Sequence, residues 1–329
     1  MSAIFLTGAT GFVGRHLVRA LRGAGHHVRC LVRPQHRAGH ERLAISEAVW
    51  GDLQDPATLT EALQRIDAVI HAASITWSRD PHNLIEVNVR GTDHLIQTCR
   101  RVGVRRLIYF SSAAVLWPPS PYSESKQQAE RLIKQSDLNY TIVRPAQIYG
   151  PGDTRGISRL ARLIRRSPVI LIPASDSSIL QPVSVEDITP FILAILFHER
   201  SYRKTYALAG ASPVSFLSLV TTIERLLGLR RFRCQVPATW LERLARLQYA
   251  LLRRPAFHPD RIGRLLSSSA VDISEARRDF QFSPRSLEEG LAQTFKAEGW
   301  VSQLPRVWSN SAWVRLASAS NRLDDQEER

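Results

Sequence analysis

The sequence predicts an α/β protein in which a doubly wound parallel sheet is followed by a smaller, mostly helical lobe. Three observations carry this reading. Short apolar runs alternate with helix-period segments through the first 150 residues, and a glycine-rich turn joins the first run to the first helix. After Gly150-Pro151-Gly152 the texture changes to arginine-crowded helix and frequent proline. Strands alternating with helices build parallel sheets with right-handed crossovers.

Ala3–Thr7 is a short apolar run ending in glycine, the mark of a buried strand. Phe12, Val13, Leu17 and Leu21 recur at helical spacing, and Gly23 and Gly25 close that helix. His27–Val32 and residues 48–50 read as strands, and residues 56–65 as a helix with proline in its first turn. A strand at 68–71, a long helix over 81–101 and a strand at 107–111 follow. A helix at 123–135 and a strand at 140–143 complete the alternation. Beyond it, residues 157–166 form a helix and strands become sparse. The chain thus divides into a sheet domain over 1–150, a second lobe over 151–300 interleaved with it, and a polar tail over 301–329 carrying Trp308 and Trp313.

The chain has 329 residues and 44% hydrophobic content, ordinary for a protein with a full core. Its longest clean apolar run, 191–197, is far short of a membrane span. The first strand starts at Ala3 and leaves no room for a signal peptide, so a cytoplasmic location is expected. Cys30, Cys99 and Cys234 match no metal or redox spacing and read as structural thiols, so no metal site is expected. The net charge of +14 is spread as +6 over 1–150, +8 over 151–300 and zero in the tail. Only four of the 44 basic residues are lysines. This arginine bias is compositional and argues for no particular partner, but it makes each lysine more informative.

The sharpest motif is Thr7-Gly8-Ala9-Thr10-Gly11-Phe12-Val13-Gly14. Gly8 permits a tight turn off the strand, and Gly11 lets the backbone approach a pyrophosphate lying on the N-terminus of the next helix. Gly14 lets that helix pack close to the sheet. The spacing differs from the common GxGxxG, and a purely structural glycine turn is the alternative. The strand before and the helix after favour a Rossmann-type dinucleotide cradle. The second strand ends in Arg33 with no carboxylate until Glu41, and Arg15 directly follows the third glycine. A basic residue there suits the 2′-phosphate of NADP, whereas an acidic one would hold the ribose of NAD, so NADP is preferred over NAD.

Tyr122 and Lys126 stand four apart at the opening of a helix and share one face. A lysine cation can lower a phenol's pKa, so that the tyrosine exchanges a proton with a substrate hydroxyl or carbonyl while hydride passes to or from a nicotinamide. Ser112 could bind the same oxygen. A surface tyrosine beside a solvated lysine is the plainer alternative. Against it, one of only four lysines falls at this spacing.

Together these motifs resemble the short-chain dehydrogenase/reductase superfamily, in its extended branch of nucleotide-sugar epimerases, dehydratases and related reductases. Thr7-Gly8 to Gly14 matches that branch's TGxxGxxG, and Gly51-Asp52-Leu53 its adenine-contacting GDL, which implies Asp52 and Leu53 as cofactor contacts. His71-Ala72-Ala73 fits the cofactor-side strand end, and Asn88-Val-Arg-Gly91-Thr92 the NVxGT helix whose asparagine props the site. Phe110-Ser111-Ser112 with Tyr122 and Lys126 fits the Ser-Tyr-Lys triad. Arg144-Pro145 to Tyr149-Gly150-Pro151 resembles RPxxxYGP, which implies Pro145 at the nicotinamide end. Val183 to Asp187 and Phe282-Ser-Pro284 to Glu289-Gly290 fit signatures of the second lobe. The resemblance implies that Lys126 also reaches the nicotinamide ribose.

Only nine residues separate Ser112 from Tyr122, fewer than in sugar epimerases, which trims the segment that would wall a substrate pocket. With Leu31-Val32-Arg33 and the arginines of 155–166, this is similar to a subgroup holding the cofactor-binding accessory subunit of respiratory complex I and hopanoid- and steroid-associated dehydrogenases. Two functions follow. One is an NAD(P)-dependent oxidoreductase or epimerase acting on a small-molecule substrate, a sugar nucleotide or a lipid-like compound, with a homodimer allowed. The other is a non-catalytic NADPH-binding protein of a respiratory or membrane-associated complex. No RNA-binding motif or aromatic-basic cluster supports a nucleic-acid partner. The amphipathic, basic segment 240–254 could touch the inner face of a membrane or cover its own core.

Overall fold

The computed structural model describes residues 1–36, 47–174, 179–237 and 270–301, with the single positions 239, 240, 243 and 247. Most of segment 240–254, Glu41, and Trp308 and Trp313 lie outside the described residues.

Seven parallel strands form the central sheet: β1 (Ala3–Thr7), β2 (His27–Val32), β3 (Glu47–Trp50), β4 (Ala68–His71), β5 (Arg106–Phe110), β6 (Asn139–Pro145) and a last strand, Lys204–Leu208. Their order is Lys204–Leu208, β6, β5, β4, β1, β2, β3. The central strands are buried on both faces, and two apolar layers pack on them. One gathers Leu17, Leu21, Ile70 and Ile192; the other gathers Leu59, Leu95, Leu107 and Ile133. The strand order reverses between β1 and β4, which run parallel, so a crevice opens at the carboxyl ends of these two strands, where open α/β sheets bind ligands.

Helix α1 (Phe12–Gly23) follows β1, and α2 (Pro56–Ala62) follows β3. Asp55 caps α2, its carboxylate accepting from Ala57 N and Thr58 N, with Pro56 preset for the first turn. The helix stops three residues earlier than expected, and Arg65 takes a left-handed φ of 59° in the turn to β4. The expected helix over 81–101 is three pieces: α3 (His82–Ile85), one wide turn of π type (Glu86–Arg90) and α4 (Gly91–Val102). Helix α5 (Pro121–Gln135) opens on a reciprocal Ser120–Ser123 capping box.

The second lobe carries more strand than its sequence predicts. It holds β7 (Ile148–Tyr149), α6 (Gly156–Arg166), β8 (Val169–Pro173), β9 (Ile179–Leu180), β10 (Val183–Ser184), α7 (Val185–Ile195), β11 (Lys204–Leu208), β12 (Val214–Ser215), α8 (Phe216–Leu226) and β13 (Phe232–Val236), then α9 (Ser274–Phe280) and α10 (Leu287–Ala297). These strands are two to five residues long, too short for period-2 alternation to stand out. Strand β11 crosses the division at residue 150 and pairs with β6. Buried Arg106 on β5 secures the junction, donating to the carbonyls of Ile195 (2.6 Å) and Leu196 (2.5 Å) at the open end of α7. Near the sheet's carboxyl edge, Arg285 grips Asp187 and Glu186, and Gly290 lies against the Tyr149 ring, where a Cβ would stand 1.9 Å from the hydroxyl oxygen.

The glycines after β1 have separable roles. A Cβ on Gly14 would lie 2.1 Å from Gly8 O, whereas one on Gly11 would meet only Gly8 O at 3.1 Å. Gly14→Ala is expected to destabilise the protein by about 1–3 kcal/mol through overpacking, and Gly11→Ala by under about 1 kcal/mol. Urea unfolding of the two variants checks this, and equal losses would contradict it.

Candidate functional site

The β1–α1 turn forms the first wall of the crevice. Gly8 takes φ +78°, and a Cβ there would stand 2.7 Å from Ala72 C and Ala73 N, so the turn rests directly on the end of β4. Gly11 precedes α1 in an extended conformation with no side-chain cap, and the first turn of α1 has no acidic residue. The first-turn N–H groups therefore face the crevice as an anion seat. Gly11 is exposed, and only its lack of a Cβ keeps this surface flat. The site fits a dinucleotide pyrophosphate. Thr10 is half-buried in the turn; Phe12 sets its ring edge-on to His16, and Val13 packs on the core.

A chain of hydrogen bonds joins β1, β4 and α4 behind the turn. Ala73 N donates to Thr7 Oγ1 (3.2 Å), which lies 2.7 Å from His71 Nδ1; His71 Nε2 lies 3.0 Å from Thr92 Oγ1, which donates to Asn88 O (2.7 Å). Since the Thr92 proton is committed to a carbonyl, Nε2 carries the imidazole proton and Nδ1 accepts from Thr7. Burial, with the Lys126 charge adding to it, pushes His71 down to about 3, so the ring is neutral.

Asn88 sits in the π turn. Its side chain pairs with both backbone groups of Ile75 (2.9 Å each) and donates to Ser125 Oγ (3.0 Å), whose hydroxyl donates to Tyr122 O. The asparagine therefore ties the loop after β4 to the first turn of α5. π turns recur at functional sites because they re-aim one side chain while the helix continues.

Lys126 is the least ordinary group in the fold. It is 1% exposed, its Nζ donates to Phe110 O at 2.7 Å, and it stands 4.3 Å from the centre of the Tyr109 ring. Burial lowers it to about 7, partly offset by the Glu130 carboxylate. Tyr109 is fully buried; desolvation, with the Tyr122 and Glu130 charges, pushes its phenol well up. Tyr122 is half-buried and stands one turn before Lys126 on α5. Ser112 is half-buried and caps the turn 113–116 by accepting from Ala114 N (3.2 Å), which leaves its proton to donate. Gln127 donates to Val115 O (3.0 Å) and holds this turn against α5.

The sequence reading missed Glu130. Its carboxylate accepts from Ser111 Oγ (2.6 Å) and from Arg144 Nε (2.8 Å) and Nη2 (2.5 Å). Burial pushes Glu130 up, but the hydrogen bonds from Arg144 and Ser111 and the charges of Arg144 and Lys134 more than reverse it, leaving the carboxyl below its usual range. Its four-residue spacing from Lys126 was the available signal.

Asp52 and Leu53, which the sequence assigns to the adenosine end, follow β3. Asp52 is half-buried and accepts from Gln54 N (3.1 Å), while buried Leu53 accepts at its carbonyl from His94 (3.1 Å). Arg33 directly follows β2, half-buried, and Pro145 ends β6, buried. Arg15 points elsewhere than expected: its guanidinium donates to Gly152 O (3.1 Å), and its neighbour His16 meets Pro151 O (2.8 Å). Helix periodicity sets residue 15 on the face of α1 turned to the second lobe. Cys30 and Cys99 are buried, and burial pushes both thiols up to about 12, while Cys234 is part-buried. Among the described residues no cluster of ligating side chains could hold a metal, and no helix is long and apolar enough to cross a membrane.

The chain belongs to the NAD dependent epimerase/dehydratase family, whose profile it matches over residues 4–209. Its cofactor is accordingly a nicotinamide dinucleotide, NAD or NADP. It is similar to sterol demethylase protein B of Methylococcus capsulatus, 29% identical over 90% of this chain and 99% of that one. It is also similar to the ceramide reductase of Caulobacter vibrioides, 36% identical over 58% of this chain and 60% of that one. The photosystem II assembly factor Ycf39 of Cyanophora paradoxa is 30% identical over 99% of this chain and 96% of that one. Among solved structures, the crystal structure of gox2253 superposes with a TM-score of 0.73 at 26% identity, over 92% of this chain and 100% of that one.

The neutral, buried His71 sets a pH dependence. The unfolded chain protonates this histidine near 6.5, while the folded one holds it neutral to about 3. From this group the native state loses about 1.4 kcal/mol per pH unit as pH falls through that window. His71→Gln is expected to be less stable at neutral pH but to show a shallower acid limb by urea unfolding at pH 7 and 5. Parallel acid limbs in the two proteins would contradict this.

Proposed function

We propose that the protein is an NADP(H)-dependent oxidoreductase acting at a hydroxyl or carbonyl of a lipid-like or sugar-nucleotide substrate. The observation that carries this reading is Lys126: a fully buried lysine, held at about 7, one helical turn from Tyr122. A cation in that place has little structural use, because among the described residues its ammonium's three donors meet one hydrogen-bond acceptor, Phe110 O.

When bound, the nicotinamide supplies the hydride acceptor or donor. Tyr122 takes the proton of a substrate hydroxyl during oxidation and returns it to a carbonyl oxygen during reduction. The Lys126 charge stabilises the phenolate and so lowers the cost of that transfer. Ser112 donates to the same substrate oxygen, Asn88 holds the opening of α5 in register, and Lys126 also reaches the nicotinamide ribose. Residues 7–14 seat the pyrophosphate, with Ala72 and Ala73 beneath the turn; Asp52 and Leu53 flank the adenine, and Pro145 bounds the nicotinamide end. Arg33 binds the 2′-phosphate, which selects NADP. The segment between Ser112 and Tyr122 carries no charge and presents Leu116, about half exposed, and Trp117. That apolar wall, with the sterol- and ceramide-named relatives, favours a lipid-like carbonyl over a sugar nucleotide.

A second reading is a dinucleotide-binding assembly protein that performs no turnover. The likeness to Ycf39 over nearly the whole chain and the nine-residue segment after Ser112 favour it.

Assays of NADPH and NADH oxidation against long-chain ketones, sterol ketones and nucleotide sugars separate the two. Tyr122→Phe is expected to lower turnover by about 10²–10⁴-fold with cofactor affinity unchanged. Under the assembly reading this variant would be silent in cells lacking the wild-type copy. Arg33→Ala should weaken NADPH by about 1.5–3 kcal/mol and leave NADH alone; equal affinities for the two cofactors in both proteins would remove the NADP assignment. Gly11→Val should abolish binding of either dinucleotide while the chain still folds cooperatively, and normal binding would mean that this turn is not the cradle.

A further inference from the structure

Strands β8 and β13 form a separate parallel pair at the edge of the second lobe, in register from Val169↔Phe232 to Val236↔Pro173. Paired residues share a face. Ile170 and Ile172 point inward onto the Leu219 and Ile223 side of the lobe's core. Val169, Leu171, Phe232 and Cys234 point the other way. Val169 and Leu171 are each 42% exposed and Phe232 is 71% exposed. Trp240, 57% exposed, follows four residues after β13. Solvent-facing apolar side chains gathered on one short sheet mark a contact surface rather than scattered exposure.

Positive charge predominates beside this face, with Glu298 and the Arg233-bound Glu224 the carboxylates near it. Because the pair is parallel, both strands begin at the same end, and arginines precede each start: Arg165 and Arg166 end α6, and Arg230 and Arg231 lead into β13. Arg231 donates to the carbonyls of Ile164 and Arg165 (2.8 and 2.9 Å) and binds the two entrances together. Residues 154–174 and 225–237 contain no carboxylate. Arg165 and Arg166, with Arg162, also line a depression shared with Glu298 and Trp300, whose ring lies 5.0 Å beneath the Arg165 guanidinium. Among the described residues Arg166 and Arg230 have no ion-pair partner.

We propose that this face docks on an anionic lipid surface. Val169, Leu171 and Phe232 enter the headgroup–acyl boundary, and the arginine band lies against lipid phosphates. Two other occupants fit less well. A nucleic acid supplies phosphates but nothing apolar for Val169 and Leu171 to meet. A second copy of the chain would set the two like-charged bands against each other. An apolar patch bordered by arginine is what interfacial binding requires, since its strength sums buried apolar area and attraction to anionic headgroups. The proposal uses none of the groups assigned to hydride chemistry, so it stands or falls separately from the enzymatic reading.

The test is co-sedimentation of the full chain with phosphatidylcholine vesicles, with and without roughly a quarter phosphatidylglycerol. Wild type is expected to bind the anionic vesicles and to be released as ionic strength rises from about 0.05 to 0.5 M. Phe232→Ser/Leu171→Ser should weaken binding at least about tenfold, and Arg166→Ser and Arg230→Ser about fivefold each. All should keep wild-type NADPH affinity by titration, which reports an intact fold. Equal binding to neutral and anionic vesicles, or full binding by the serine double variant, would overturn the proposal. So would a dimer in sedimentation velocity that the double variant abolishes, or displacement of the protein from vesicles by duplex DNA.

Discussion

Everything at the carboxyl edge of the sheet is arranged around one buried ammonium. Lys126 has left water for a place between the Phe110 carbonyl and the Tyr109 ring, and the desolvation of a cation is among the largest local penalties a fold can carry. The Glu130 carboxylate offsets it only in part, which is why the group is held at about 7 rather than at the ordinary lysine value. Linkage gives this a sign. Above pH 7 and up to the ordinary lysine range, the unfolded chain binds the proton that the native chain has lost, so this group makes the native state more stable as pH rises and least favourable below 7. A cation tolerated at that cost is best explained by chemistry at the phenol one turn away.

The neighbours are then read as supports for that position. Glu130 holds Ser111 and Arg144, so α5 is fixed to the ends of β5 and β6 at the same height as the ammonium. Asn88, through Ser125, fixes the opening of α5 from the opposite side. The Thr7–His71–Thr92 chain, held neutral, sets the depth of the glycine turn without placing a second cation near Lys126. Two separately built walls, the glycine turn and the opening of α5, thus face one crevice because a single sheet edge carries both.

Much of this was legible in the residues, and what was not has physical causes. The glycine turn could be read because each glycine answers a local steric demand, and Gly8 and Gly14 meet those demands in the structure at 2.7 and 2.1 Å. Strands β1, β4 and β5 were legible because their burial on both faces makes continuous apolar runs. Strand β11 was hidden: Lys204-Thr-Tyr-Ala-Leu is an edge strand, half polar, and its place beside β6 is set by long-range pairing. The π turn was invisible because its sequence stays within a helical pattern. Arg15 was read by proximity to Gly14, but helix geometry turns it to Gly152. Glu130 carried a spacing signal that gains meaning only once Ser111 and Arg144 are seen to converge on it. The roles of Ser112, Tyr122 and Lys126 in turnover rest on chemistry that the fold permits.

The central claim is that Lys126 is a buried ammonium poised near neutrality, and it can be measured without knowing the substrate. The chain has four lysines, so protein labelled with ¹³C at lysine Cε gives four resonances, and the signal missing from Lys126→Met assigns the one that matters. Titrated without dinucleotide, that resonance is predicted to shift with a midpoint of about 7. A midpoint of about 10 or above, the value of a solvated lysine, would contradict the account.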